Sequence, residues 1–214
     1  MSTFEVNKII SKKMRELNVE SVFLGYRGFP AESCISVNEE IIHGIPDKNK
    51  ILKEGDIVKI DIGVRYKGYI ADGTRTFSIG KISKDAERLV NVTYNALFKA
   101  IEKAYEGNRI GDIGYAIESY VKEFNFSPVK DFVGHGVGLE LHEEPSVPNY
   151  GKPGTGKKLK PGMVLAIEPM INQGSSDIII KDNGWTAVTM DGSLSAHFEH
   201  TVAVTENGPM ILTI

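Results

Sequence analysis

At 214 residues, 41% hydrophobic and 25% charged, the chain can form one sizeable domain with its own core and is neither disordered nor fibrous in composition. Its formal net charge of -3 gives no general electrostatic reason to bind nucleic acid or an anionic membrane. The single cysteine, Cys34, excludes a disulfide-stapled scaffold and a multi-cysteine zinc site.

In chain order, 3–17 reads as an amphipathic helix with Val6, Ile10, Met14 and Leu17 on one side. The same region mixes lysine and glutamate with scattered apolar residues, so it has no signal-peptide core. No later stretch is long enough to span a bilayer, which predicts a cytoplasmic protein. A turn at Gly44-Ile45-Pro46 precedes a strand over 56–64. Segment 84–105 places Leu89, Val92, Leu97, Ile101 and Tyr105 at helical spacing, and 111–124 predicts another helix. The segment Gly151-Lys152-Pro153-Gly154-Thr155-Gly156-Lys157-Lys158 nearly matches a phosphate-binding loop. It fails at Lys158, where the motif needs a hydroxyl, and Leu159-Lys160-Pro161-Gly162 bars a following helix, so a basic surface turn is expected. Strands over 163–168, 177–181 and 198–204 follow, with a further turn at Asp182-Asn183-Gly184. The class is α+β, and no linker divides the chain, so 1–214 is expected to be one domain.

Two segments align. Leu52-Lys53-Glu54-Gly55 leads through an apolar strand to Asp61, and Leu159-Lys160-Pro161-Gly162 leads likewise to Glu168, each acid six residues after its glycine. Each acid is followed by a further strand carrying another, Asp72 and Glu199. This predicts two related halves, about 1–82 and 83–214, facing each other across a site. They are unequal at the start: two helices precede the second acid strand, and only 3–17 precedes the first, so one helix of the symmetric plan is expected to be absent.

Burying a carboxylate is costly unless it is paired, hydrogen-bonded or bound to metal. A lone strand acid is most simply a salt bridge or a solvent-facing end; four acids at matched positions call for cations. His135, between Gly134 and Gly136, adds a nitrogen ligand where the glycines allow close backbone approach. Four carboxylates and one imidazole are too many anionic oxygens for a structural zinc site and suit two divalent ions, with Co, Mn, Fe or Zn compatible by ligand type.

The chain resembles the type I methionine aminopeptidases, of the pita-bread fold. The resemblance runs from about Ser2 to the C-terminus, through Ser36-Val37-Asn38-Glu39, His43-Gly44-Ile45-Pro46, Gly134-His135-Gly136-Val137-Gly138, His142-Glu143-Glu144-Pro145, Ile167-Glu168-Pro169-Met170 and His197-Phe198-Glu199-His200-Thr201. It implies two pseudo-symmetric halves with a curved antiparallel sheet covered by helices, and Asp61, Asp72, His135, Glu168 and Glu199 as ligands of two divalent metals. It also implies substrate-contacting roles for His43 and His142, and a methionine pocket lined by Tyr26, Phe29, Cys34 and Trp185. Glu168 would act as base and then acid, His142 would stabilise the oxyanion, and His43 would orient the peptide. The implied substrates are the N-termini of nascent polypeptides with a small second residue, cut by a monomer that could associate with the ribosome. The family normally begins with a further helix. Asp72-Gly73-Thr74-Arg75-Thr76-Phe77 looks closer to prolidases and Xaa-Pro aminopeptidases, so an Xaa-Pro peptidase remains an alternative. A non-catalytic module of the same fold is another, against which the complete ligand set argues.

Overall fold

Local signals set the element boundaries. In this computed structural model, which describes residues 1–214, Ser2 caps α1 (Thr3–Glu16) in a reciprocal box with Glu5. β1 (Glu20–Ser21), a single 3-10 turn at Tyr26–Gly28, β2 (Cys34–Val37) and β3 (Glu40–Ile42) follow. A long hairpin then forms from β4 (Ile57–Tyr66) and β5 (Tyr69–Ser78), closed by Lys67 and Gly68, both at positive φ, as a two-residue hairpin turn requires. Ser83 caps α2 (Lys84–Ile101), which leads to α3 (Ile110–Lys122). Ten short strands complete the chain: β6 (Ser127–Pro128), β7 (Gly134–Gly136), β8 (Glu143–Val147), β9 (Val164–Ile167), β10 (Met170–Asn172), β11 (Ile178–Ile180), β12 (Ala187–Thr189), β13 (Ser195–His197), β14 (His200–Thr205) and β15 (Gly208–Ile211).

Every ladder is antiparallel. One sheet runs β1-β4-β2 with β5 on the far side of β4, and another runs β15-β14-β9-β7-β8. Two three-stranded sheets, β13-β10-β6 and β11-β12-β3, join them. The main core lies under α2 and α3, where Leu89, Val92, Ala96, Leu97, Ile113 and Ile117 pack on Leu165, Ile167 and Val202. This is the α+β class expected.

Three expectations are corrected. α1 buries Thr3, Asn7, Ser11 and Met14, while Leu17 is 58% exposed and Val6 and Ile10 are only half-buried. The cause is Glu32, which accepts from Asn7 Nδ2 at 2.8 Å and from Ser11 Oγ at 3.1 Å and so draws the polar stripe inward. α2 stops at Ile101, and Tyr105 is exposed in the turn that follows. The strand expected over 198–204 starts at His200, because Phe198 and Glu199 form a break between β13 and β14. The glycine-rich segment 151–158 is indeed largely exposed and lies over the start of α3, where Thr155 O and Lys157 O accept from Gly111 N and Ile110 N.

Candidate metal centre and substrate pocket

Strand alternation puts Lys59, Asp61 and Gly63 on one face of β4. Asp61 pairs with Cys34 on β2 and Thr74 on β5, and Asp72 pairs with Gly63. Glu168 and Glu199 instead occupy strand breaks, between β9 and β10 and between β13 and β14. Pro169, lacking an N–H, ends the first ladder beside Glu168. Glu199 is held by its N–H donating to Thr74 O at 2.9 Å and by Thr74 Oγ1 donating to its Oε2 at 2.9 Å. Thr201 Oγ1 accepts from Asp72 N and donates to Asp72 O, stitching β14 to β5. The hairpin is thereby tied to the segment that carries Glu199 and Thr201.

His135 sits on β7. A side chain at Gly134 would strike Ala166 O, and one at Gly136 would strike Glu144 O, so both glycines are needed for the approach of neighbouring strands. The ring lies with Nδ1 2.9 Å from Gly136 O and Nε2 3.6 Å from Glu168 Oε1. A carbonyl on one ring nitrogen fixes the tautomer and leaves the other nitrogen free for a metal.

All eleven residues expected at the site line one cavity of about 270 Å³. That is near the lower end of the roughly 300–1,000 Å³ of small-molecule sites, a space for one side chain and little more. At its polar end, burial foremost and then repulsion among the acids push Asp61 up to about 7 and Asp72, Glu168 and Glu199 well above the carboxylate range. Asp61 Oδ1 and Glu199 Oε1 are buried without a hydrogen-bond partner. Ligand-capable atoms of Asp72, His135 and Glu199 lie within 4.8 Å of one another. Orphaned oxygens in so dense a carboxyl cluster fit divalent cations and are hard to explain without them. Cys34 is buried against these acids, and burial pushes its thiol up, so it remains neutral.

The apolar end is formed by Phe29, its ring 5.1 Å edge-on to Trp185, with Cys34, Phe23 and Leu141. His43 stands edge-on to Phe132 and Trp185, at positive φ, and burial holds it down at about 4. Tyr26 places its hydroxyl 2.8 Å from His142 Nδ1, and the His142 ring is 4.3 Å from that of His135. Burial and the neighbouring His135 hold His142 down at about 4. Both histidines are therefore neutral near pH 7.

Three contributors escaped sequence reasoning. Lys59 is buried and donates from Nζ to Asn38 O at 2.7 Å and Ser195 O at 2.9 Å, tying β13 to the β2–β3 turn. Thr74 braces Glu199. His197 lines the cavity, with Nε2 3.3 Å from Glu168 Oε2. Its one sequence signal is its place two residues before Glu199.

Residues 1–206 match the model of metallopeptidase family M24. The chain belongs to metallopeptidase family M24. It is 50% identical over 214 residues to a methionine aminopeptidase of Clostridium acetobutylicum, covering all of this chain and 86% of that protein. The crystal structure of methionine aminopeptidase from Thermotoga maritima superposes with a TM-score of 0.98 at 47% identity, over 99% of this chain and 85% of that one. A prolidase from Pyrococcus horikoshii is more distant, with a TM-score of 0.78 and 25% identity over 54% of its length. The fold is thus the pita-bread fold, and membership of this family carries the use of divalent metal. No helix of the chain is long and apolar enough to cross a membrane.

Proposed function

We propose that this chain removes the N-terminal methionine from peptides and nascent proteins with a small second residue, using two divalent ions held by Asp61, Asp72, His135, Glu168 and Glu199. The observation that carries this reading is one cavity whose polar end is the carboxyl cluster and whose apolar end is shaped for a single side chain. Phe29, Trp185 and the neutral Cys34 thiol offer soft, polarizable contacts to a thioether. Divalent ions, when bound, acidify water and polarise the scissile carbonyl. Glu168 takes the proton from the attacking water on its carboxylate and passes it to the leaving amine. His142, with the Tyr26 hydroxyl at its Nδ1, donates from its other nitrogen to the developing oxyanion. His43 orients the peptide, its neutral ring fixed between Phe132 and Trp185.

The single domain reads as two related halves, 1–82 and 83–214. The antiparallel pair β4–β5 carries Asp61 and Asp72, and the pair β9–β14 is flanked by Glu168 and Glu199. A cytoplasmic monomer acting near the ribosome fits this substrate class. The test is release of methionine from Met-Ala-Ser by metal-free protein reloaded with Mn, Fe, Co or Zn, beside an Ala-Pro peptide. Metal-dependent release from Met-Ala-Ser alone is expected. Cleavage of Ala-Pro in preference would turn the reading to an Xaa-Pro peptidase.

A further inference from the structure

His197 lies outside the five-residue ligand set, yet it is 2% exposed and its Nε2 is buried without a hydrogen-bond partner. Its backbone is pinned on both sides by one hydroxyl: Thr76 Oγ1 accepts from His197 N at 3.0 Å and donates to His197 O at 2.7 Å. Nε2 comes within 3.3 Å of Glu168 Oε2, but without the alignment of a hydrogen bond, so the nitrogen is aimed beside that oxygen. Neighbouring ligand atoms on one ion, with bonds of about 2.1 Å, stand about 3 Å apart, and opposite ones about 4.2 Å.

Ligand-capable atoms of Glu168, His197 and Glu199 all lie within 4.8 Å of one another, as do those of Asp72, His135 and Glu199. The two triads share Glu199, and each holds one imidazole. Glu168 stands between the rings, with Oε1 3.6 Å from His135 Nε2 and Oε2 3.3 Å from His197 Nε2.

We propose that His197 Nε2 is a sixth protein ligand, joining Asp61, Asp72, His135, Glu168 and Glu199, so that the centre holds two imidazoles for its two ions. A second neutral nitrogen shifts the centre away from hard ions such as Mg and Ca, towards Zn, Co and Fe. The inference rests on the metal-ligand reading above.

The test counts imidazoles. X-ray absorption on the Zn-loaded full chain is expected to give an average of one imidazole per ion, halved in either H197Q or H135Q. Cadmium-113 NMR on the wild-type protein with nitrogen-15 histidines is expected to show coupling to two histidines, which decides the matter even if a variant fails to fold. A wild-type average of half an imidazole per ion, unchanged in H197Q, overturns the proposal and makes His197 only a neighbour of Glu168. Affinity alone is not the readout, because losing a residue that merely braces a ligand also weakens binding by roughly 10- to 100-fold. Ions bound through His135 alone defeat this inference and leave the five-ligand reading standing; a wild-type chain that binds no ion defeats both.

Discussion

The hairpin β4–β5 and the sheet built on β9 and β14 each supply two acids to one cluster, but they are supported very differently. The second sheet is roofed by α2 and α3 over a 23-residue apolar core. The hairpin has only α1 beside it, and its outer face is an open groove lined by Ile10, Ile60, Ile62, Val64, Ala71 and Phe77. Asp61 and Asp72 sit within unbroken strands whose ladder is ten residues long, whereas Glu168 and Glu199 sit where strands break. Rigidity under the hairpin acids therefore comes from main-chain pairing and from the Thr74 and Thr201 stitches, and under the glutamates from helix packing. A metal centre bridging the two should stabilise the hairpin more than the helix-covered sheet.

The largest expected effect separates chemistry from support. Glu168→Ala should lower kcat/KM by about 10³-fold or more while leaving helix content unchanged, because it removes the proposed proton carrier. A variant that unfolds instead would make Glu168 structural. Next, Leu89→Ala in the helix-covered core should cost about 2–5 kcal/mol by denaturant unfolding, whereas Ile62→Ala in the open groove should cost about 1 kcal/mol or less. Equal costs would abolish the contrast. His142→Ala should lower kcat by about 10²-fold or more with little change in KM, and Tyr26→Phe should lower it less.

Chelation should act unevenly. On metal removal, amide exchange in β4 and β5 is expected to speed up by about tenfold or more, with α2 and α3 little affected; uniform change would show the two sides to be one cooperative unit. The smallest effect is the dependence of metal binding on pH. With Asp61 pushed up to about 7 and the other three carboxyls well above the ordinary carboxylate range in metal-free protein, ions displace protons on binding. Affinity should therefore rise with pH through about 7. His43, His142 and His197 contribute nothing in that range, being held well below it by burial. Calorimetry in buffers of different ionisation enthalpy reads the released protons, and none released would contradict the shifts.

The acids were legible from their matched places in two strand motifs and His135 from its flanking glycines, whereas Tyr26, Phe29, Cys34 and Trp185 were given only by the family resemblance. The buried face of α1 was not legible, since periodicity ranks Val6 and Leu17 above Asn7 and Ser11, and only the fold brings Glu32 beneath the helix. The break at Phe198-Glu199 was hidden for a similar reason. An apolar run reads as one strand until Glu199 N finds Thr74 O across the hairpin. His197 went unassigned because its role depends on its distance to Glu168, which lies on another part of the fold.

The central claim is that acids from the hairpin and from the helix-covered sheet form one working centre. Titrating metal-free protein with Co while following bound ions and methionine released from Met-Ala-Ser tests it most directly. Two ions per chain are expected, with activity rising as they bind, and Asp61→Ala and Glu199→Ala each reducing both. Folded protein that binds no ion, or binds ions and releases no methionine with any of the four metals, would contradict it.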